Sequence, residues 1–267
     1  MRVVFSLILY VSIGLFGSIE ASLAEGKDTS GFLSGKPEWS YKNSDNSMYK
    51  FSFKESVAPM CIVTFGIVTL NFDWGDELDK KIQKTLQDNP WRTNVDDYIQ
   101  YAPAFTSLAL DAVAVYGKHN TVEKAIILAT SYAIEATVVN SMKYTFRVRR
   151  PGKGSYNSFP SGHTATAFVG AEFLRKEYWD VSPWYGVGGY TVAIATGYLR
   201  VQNNRHWFND VITGAGIAIL SVHAAYYIYP YMRKFIFLEK IKKMNANAMI
   251  MPYYFDKQMG LALVAYF

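Results

Sequence analysis

The sequence predicts an all-α bundle embedded in a membrane, and three observations carry that expectation. Five stretches have the length and apolar content of helices, and no alternation of apolar and polar residues suggests a strand before the C-terminal tail. Two of the five, containing Val181–Leu199 and Val211–Met232, hold no Asp, Glu, Lys or Arg, and each approaches the ~20 residues a bilayer requires. Charged residues make up 18% of the chain, below the roughly 25% usual in soluble proteins, while a mean hydropathy of +0.01 leaves much of the chain outside lipid.

Taken in order, residues 1–24 read as a signal peptide: Arg2 supplies the positive end, Val3–Phe16 is an uncharged apolar run, and Ser22 and Ala24 suit cleavage before Glu25. Residues 25–97 form a leader. Its first part, 25–55, is polar; Val57–Phe72 is apolar but short for a span; and Asp73–Asp97 is charged, with Ile82, Leu86 and Trp91 spaced as on a surface helix. The core, 98–236, contains the five helices, at 98–117, 124–142, 161–176, 183–200 and 207–232. Asp111, Glu135 and Glu172 lie inside three of them. A charge at mid-bilayer costs about 3 kcal/mol or more, so these residues either face a bundle interior or mark helices outside lipid. Residues 237–267 are a basic tail in which Met249–Phe255 and Gly260–Phe267, split by Asp256, Lys257 and Gln258, read as a hairpin.

The single cysteine, Cys61, excludes an intrachain disulfide and a multi-cysteine metal site. Net charge is +5, concentrated in Arg147, Arg149, Arg150 and Lys153 and in the run Arg233–Lys243. His119, between Lys118 and Asn120, reads as exposed, and His223 as a hydrogen-bonded interior residue.

The polar residues that no apolar core requires fall at helix ends. Lys143 closes the second helix and Arg150-Pro151 follows it; Ser161, Gly162 and His163 open the third; Arg200 closes the fourth; His206 and Asp210 open the fifth. Successive antiparallel helices alternate direction, so these four ends share one face. Lys143, Arg150 and Arg200 suit a dianion, the guanidinium forks matching phosphate oxygens. Ser161 and the Gly162 amide stand at a helix N-terminus, which favours an anion. Asp210 lies one turn after His206, placed to take one ring N–H and leave the other nitrogen as a nucleophile on phosphorus. His163 can then protonate the leaving oxygen.

The order K-x6-R-P (Lys143–Pro151), P-S-G-H (Pro160–His163) and R-x5-H-x3-D (Arg200–Asp210) resembles the type 2 phosphatidic acid phosphatase superfamily of lipid phosphatases, bacterial acid phosphatases and vanadium haloperoxidases. Leu199 stands where that family usually has Ser, which removes one supporting hydrogen bond. The resemblance implies a six-helix core, a phosphohistidine on His206, His163 as acid and base, and phosphate held by Lys143, Arg150, Ser161, Gly162 and Arg200. The cations can stabilise the transition state by themselves, so no metal or cofactor is expected, nor is a nucleic-acid partner.

The expected partners are a membrane and a phosphorylated envelope lipid. Lipid A comes first among the substrates, because Arg147, Arg149 and Lys153 suit a multiply anionic headgroup; undecaprenyl diphosphate, phosphatidylglycerophosphate and phosphatidic acid stay open, as do a soluble periplasmic acid phosphatase and a non-catalytic binding protein. The export signal and the basic run after the last helix place the protein in a bacterial inner membrane with its site toward the periplasm; a periplasmic bundle resting on the membrane is the alternative.

Overall fold

A computed structural model describes residues 53–87, 91–152, 154–235, 247–255 and 258–266, with side chains up to Arg233. The segment 1–24 expected to be a signal peptide, nearly all of the polar leader 25–55, Lys153 and most of the basic run after Arg233 lie outside the described residues.

Eight helices are present among the described residues: α1 (Phe53–Thr69), α2 (Asp73–Gln87), α3 (Asp96–Ile99), α4 (Ala102–Ala112), α5 (Thr121–Phe146), α6 (Gly162–Tyr178), α7 (Pro183–Gln202) and α8 (Phe208–Phe235). Two strands, β1 (Asn247–Phe255) and β2 (Gln258–Tyr266), pair antiparallel with Asn247 opposite Tyr266. The strands fall in a different compact unit from the helices up to Met232.

Local chemistry sets the helix ends. Asn120 caps α5 by accepting from Glu123 N, and Glu123 reaches back to Asn120 N, a reciprocal box that satisfies two otherwise orphaned donors. Arg147 closes α5 with a left-handed φ of 50°. Ser182 caps α7, and Pro183 follows at the first helical position, where its missing N–H costs nothing.

The helix expected over 98–117 is two helices. Its first turns are α3 and α4, parted at Gln100 and Tyr101 just before Pro103, and α4 ends at Ala112. The pair expected to be most able to span also changes. α5 and α8 are long and apolar enough to cross a membrane by length and composition, whereas α7, uncharged up to Leu199, is diluted by Gly, Tyr and Trp. α1 and α2 pass the same test only as a pair bent by 100°.

α6 is the central helix and packs against α4, α5 and α7. Ile127 and Val139 of α5, Val169 and Phe173 of α6, and Ile217, Val222 and Tyr226 of α8 form one buried cluster. Two glycines let the helices close on the site. A Cβ at Gly197 would lie 2.8 Å from Val211 Cγ1, and one at Gly214 would lie 2.6 Å from the carbonyl oxygen of Ser161.

The internal acids face the interior. Asp111 pairs with buried Lys124, and Glu172 accepts from Arg175 Nε and Nη2 at 2.7 Å each, from Tyr190 at 2.7 Å, and bonds His223 Nε2 at 2.9 Å. His223 is thus the interior histidine expected. His119 is not exposed: its Nδ1 lies 2.7 Å from Glu177 Oε1, and its side chain is largely covered. The charged run Glu172–Glu177 turned inward, and His119 was buried as its partner.

Candidate active site

The loop between α5 and α6 is tied down at both ends. Arg150 N donates to Ser155 O at 3.0 Å and Ser158 N to Val148 O at 2.9 Å. Lys143 reaches from the last turn of α5 to the carbonyls of Asn157 at 2.9 Å, Ser158 at 3.3 Å and Pro160. Arg150 Nε donates to Asn157 Oδ1 at 2.9 Å. Trp207 Nε1 donates to Arg149 O at 2.8 Å, which joins this loop to the one that carries His206. The basic loop is therefore a built structure and not a solvated tether.

α6 begins where it meets α8. Ser161 N donates to Asp210 O at 2.9 Å, the close approach that Gly214 permits. The Ser161 hydroxyl is 2.9 Å from Thr164 Oγ1 and caps the helix. A Cβ on Gly162 would meet only Val139 at ordinary contact distance; its place at the first helical position puts its amide among those with no partner inside the helix.

His206 is buried, in the short loop between α7 and α8, and its Nδ1 lies 3.2 Å from Asp210 Oδ2. The same carboxylate oxygen accepts from Trp207 N at 2.9 Å and from the Ser158 hydroxyl. Asp210 is thus fixed by three groups, and with Nδ1 engaged the other ring nitrogen, Nε2, is the one left to react. Burial, and then the charges of Lys143, Arg150, Arg200 and His163, hold the His206 imidazole well below its ordinary 6.5. Those four neighbours converge on His206 from three helix ends and the loop. Burial and the nearby Arg200 likewise lower Arg150 from its ordinary value, which leaves it charged at neutral pH.

Four residues of this site were not anticipated, two of them acids of α3. Arg200 Nη1 donates to Asp96 Oδ2 at 2.6 Å and to Asp97 Oδ1 at 3.0 Å, and His163 Nε2 lies 2.9 Å from the same Asp97 oxygen. Asp96 is buried and also accepts from Asn203 Nδ2 at 2.9 Å, whereas the Asp97 side chain is 45% exposed. Reading Asp97 as the end of a surface helix missed that α3 turns both acids onto the site; the only signal was a pair of adjacent acids, common on any surface. Ser158 and Asn157 were missed for a similar reason. They sit inside the basic loop, with a chemistry that becomes evident only through their partners. Arg200 Nε is buried and has no hydrogen-bond partner among the described residues.

All eight residues singled out by spacing, Lys143, Arg150, Ser161, Gly162, His163, Arg200, His206 and Asp210, lie at one end of the bundle. Residues 124–234 match the PAP2 superfamily, a range that contains all three motifs. Beyond the PAP2 match, the chain is 40% identical over 139 residues to a lipid A 1-phosphatase of Porphyromonas gingivalis, a region covering 52% of this chain and 31% of the relative. A PA-phosphatase related-family protein of Dictyostelium discoideum is 35% identical over 77 residues, 27% of this chain and 12% of that one. The chain therefore spans about a third or less of the length of these relatives. Among solved structures, a transmembrane PAP2-type phosphatidylglycerolphosphate phosphatase from Bacillus subtilis aligns with a TM-score of 0.48 at 18% identity, over 68% of this chain and 97% of that one. Aquifex aeolicus LpxE aligns with a TM-score of 0.44 at 23% identity, over 55% and 94%.

Proposed function

We propose that this protein is a phosphatase that removes a phosphate from an envelope lipid, lipid A first among the substrates, through a phosphohistidine on His206. The observation that carries the chemistry is the buried His206–Asp210 pair surrounded by Lys143, Arg150, Arg200 and His163. The lipid A 1-phosphatase relative supports the choice of substrate.

In this mechanism the His206 Nε2 lone pair attacks phosphorus in line with the leaving oxygen. The new N–P bond forms as the P–O bond to the lipid breaks, and His163 gives its proton to that oxygen. Water deprotonated by His163 then attacks the phosphohistidine, which releases inorganic phosphate and regenerates His206. Asp210 holds Nδ1 and stabilises the positive charge that grows on the ring. Lys143, Arg150 and Arg200, with the Ser161 hydroxyl and the Gly162 amide, stabilise the charge on the equatorial oxygens. Arg200 Nε, which has no hydrogen-bond partner among the described residues, is the donor this role would use. Asp97 bridges Arg200 and His163 and would compete with a substrate anion for Arg200, so His163 must turn from it to reach the leaving oxygen.

The periplasmic orientation follows from the same reading. α8 starts at the catalytic end and leads toward the basic run Arg233–Lys243, and basic runs favour the cytoplasmic side. The deciding test is phosphate release by the detergent-solubilised protein from lipid A, undecaprenyl diphosphate, phosphatidylglycerophosphate, phosphatidic acid and a soluble aryl phosphate, with EDTA present and His206→Ala as control. Preference for lipid A supports the assignment; equal activity on the aryl phosphate points to a general acid phosphatase, and wild-type turnover by His206→Ala rejects the nucleophile.

A further inference from the structure

α2 is amphipathic, yet it is attached by its polar side. Residues Gly75, Asp79, Gln83 and Gln87, spaced at i, i+4, face the bundle. Asp79 Oδ1 accepts from Asn209 N at 2.9 Å, Gln83 Nε2 donates to Val201 O at 3.2 Å and to Asn204 Oδ1, and Gln87 Nε2 donates to Gln202 O at 3.0 Å. All of these partners flank the loop that carries His206. The stripe one residue earlier, Trp74, Leu78, Ile82 and Leu86, is apolar, and its first two members are exposed, Trp74 at 47%. A surface helix normally presents its apolar stripe to the core; here the N-terminal half of that stripe, Trp74 and Leu78, looks outward, while Ile82 and Leu86 are half-buried.

The direction of α2 says what it meets. α1 runs antiparallel along α8, with Ser56 3.1 Å from His223 Nδ1 near one end, Gly216 packed on Pro59 and Val63, and Asn209 Nδ2 donating to Gly66 O at 3.0 Å near the other. The chain then bends by 100° at an elbow where Phe65, Phe72 and Trp74 stack, with ring centroids at 5.8 and 6.4 Å from Trp74. α2 therefore leaves nearly perpendicular to a helix long enough to span, at the level of its first turn, through a cluster of half-exposed aromatics. Aromatic rings gather at the membrane–water boundary, and helices lying in that plane carry an apolar face with lysines beside it. Lys80, Lys81 and Lys84 are exposed on α2.

We propose that α2 lies in the plane of the bilayer interface, with the Trp74–Leu78 stripe seated in lipid, and thereby fixes the depth at which the His206 loop meets a lipid-borne phosphate. The occupant of the stripe is the bilayer itself. The reference to a lipid phosphate rests on the function proposed above; the position of α2 does not.

The test uses the full chain in anionic proteoliposomes. The fluorescence lost in Trp74→Phe relative to wild type isolates Trp74, and lipids brominated just below the headgroup should quench that component while aqueous iodide does not. Trp74→Ser/Leu78→Ser should raise the apparent KM for the lipid in vesicles roughly tenfold and leave kinetics on a soluble aryl phosphate unchanged. Quenching by iodide, or by neither quencher as under a protein partner or a second copy, overturns the proposal, as does an equal loss on both substrates or no change on either. A wild type inactive on every phosphate ester defeats the function and leaves the quenching result to decide the position of α2.

Discussion

At the scale of single residues, the pH behaviour of His206 follows from its surroundings. Its folded pKa is depressed by burial and by Lys143, Arg150, Arg200 and His163, so the ring stays neutral and nucleophilic to below pH 6.5. The acid limb of kcat/KM assigned to His206 is expected below pH 6.5, and Lys143→Met should move it upward, because removing a cation eases protonation. Stability has the same sign: an unfolded chain protonates this ring near 6.5 and the folded one does not, so its contribution is present above that pH and lost as pH falls. The two acids of α3 should separate in experiment. Asp96→Asn leaves buried Arg200 with only the half-exposed Asp97 as its counter-charge and should cost about 1–3 kcal/mol in a detergent unfolding series. Asp97→Asn should leave stability nearly unchanged and tighten inhibition by inorganic phosphate roughly two- to fivefold, the competition expected from a half-exposed ion pair.

At the scale of elements, the catalytic geometry depends on how closely α8 meets the start of α6. The Ser161 N–Asp210 O bond exists because Gly214 lacks a side chain: a Cβ there would lie 2.6 Å from Ser161 O. Gly214→Ala should destabilise by about 1–3 kcal/mol and lower kcat, since it pushes the cap of α6 away from the helix that holds Asp210. Gly188→Ala on α7 is the control, because a Cβ there meets nothing within 4 Å and should add about 0.5–1 kcal/mol of helix stability. Thermal unfolding and aryl phosphate kinetics on both variants would show whether the contact or the residue type matters. The helix starts expected at 161, 183 and 207 fall within a residue of those observed, whereas α5 begins three residues before the expected 124, at the Asn120–Glu123 cap. The break at Gln100–Tyr101 was harder to see, because the apolar pattern continues across it.

At the scale of the whole molecule, the proposed orientation predicts labelling. In a Cys61→Ala background, a cysteine at Tyr156, 61% exposed in the loop beside Arg150, should react with an impermeant maleimide added to the periplasmic side of spheroplasts. Reaction only after lysis would invert the topology. Turnover should also survive EDTA, since every charge in the proposed mechanism comes from side chains, and a strict requirement for added divalent metal would defeat it.

What the sequence determined by itself was the set of chemical groups and the end of the bundle at which they meet. Lys143, Arg150, Ser161 and His163 cluster at one junction between helices, and Arg200, His206 and Asp210 at another two helices further on, and antiparallel alternation of helices brings the two junctions to one shared face. The tertiary structure alone decided what those groups touch. Asp96 and Asp97 come to Arg200 from more than a hundred residues away, His119 is buried by Glu177, and α2 turns its polar stripe inward. Spacing along a helix fixes which residues share a face, but which face is buried depends on partners distant in the chain, and a local pattern carries no record of them.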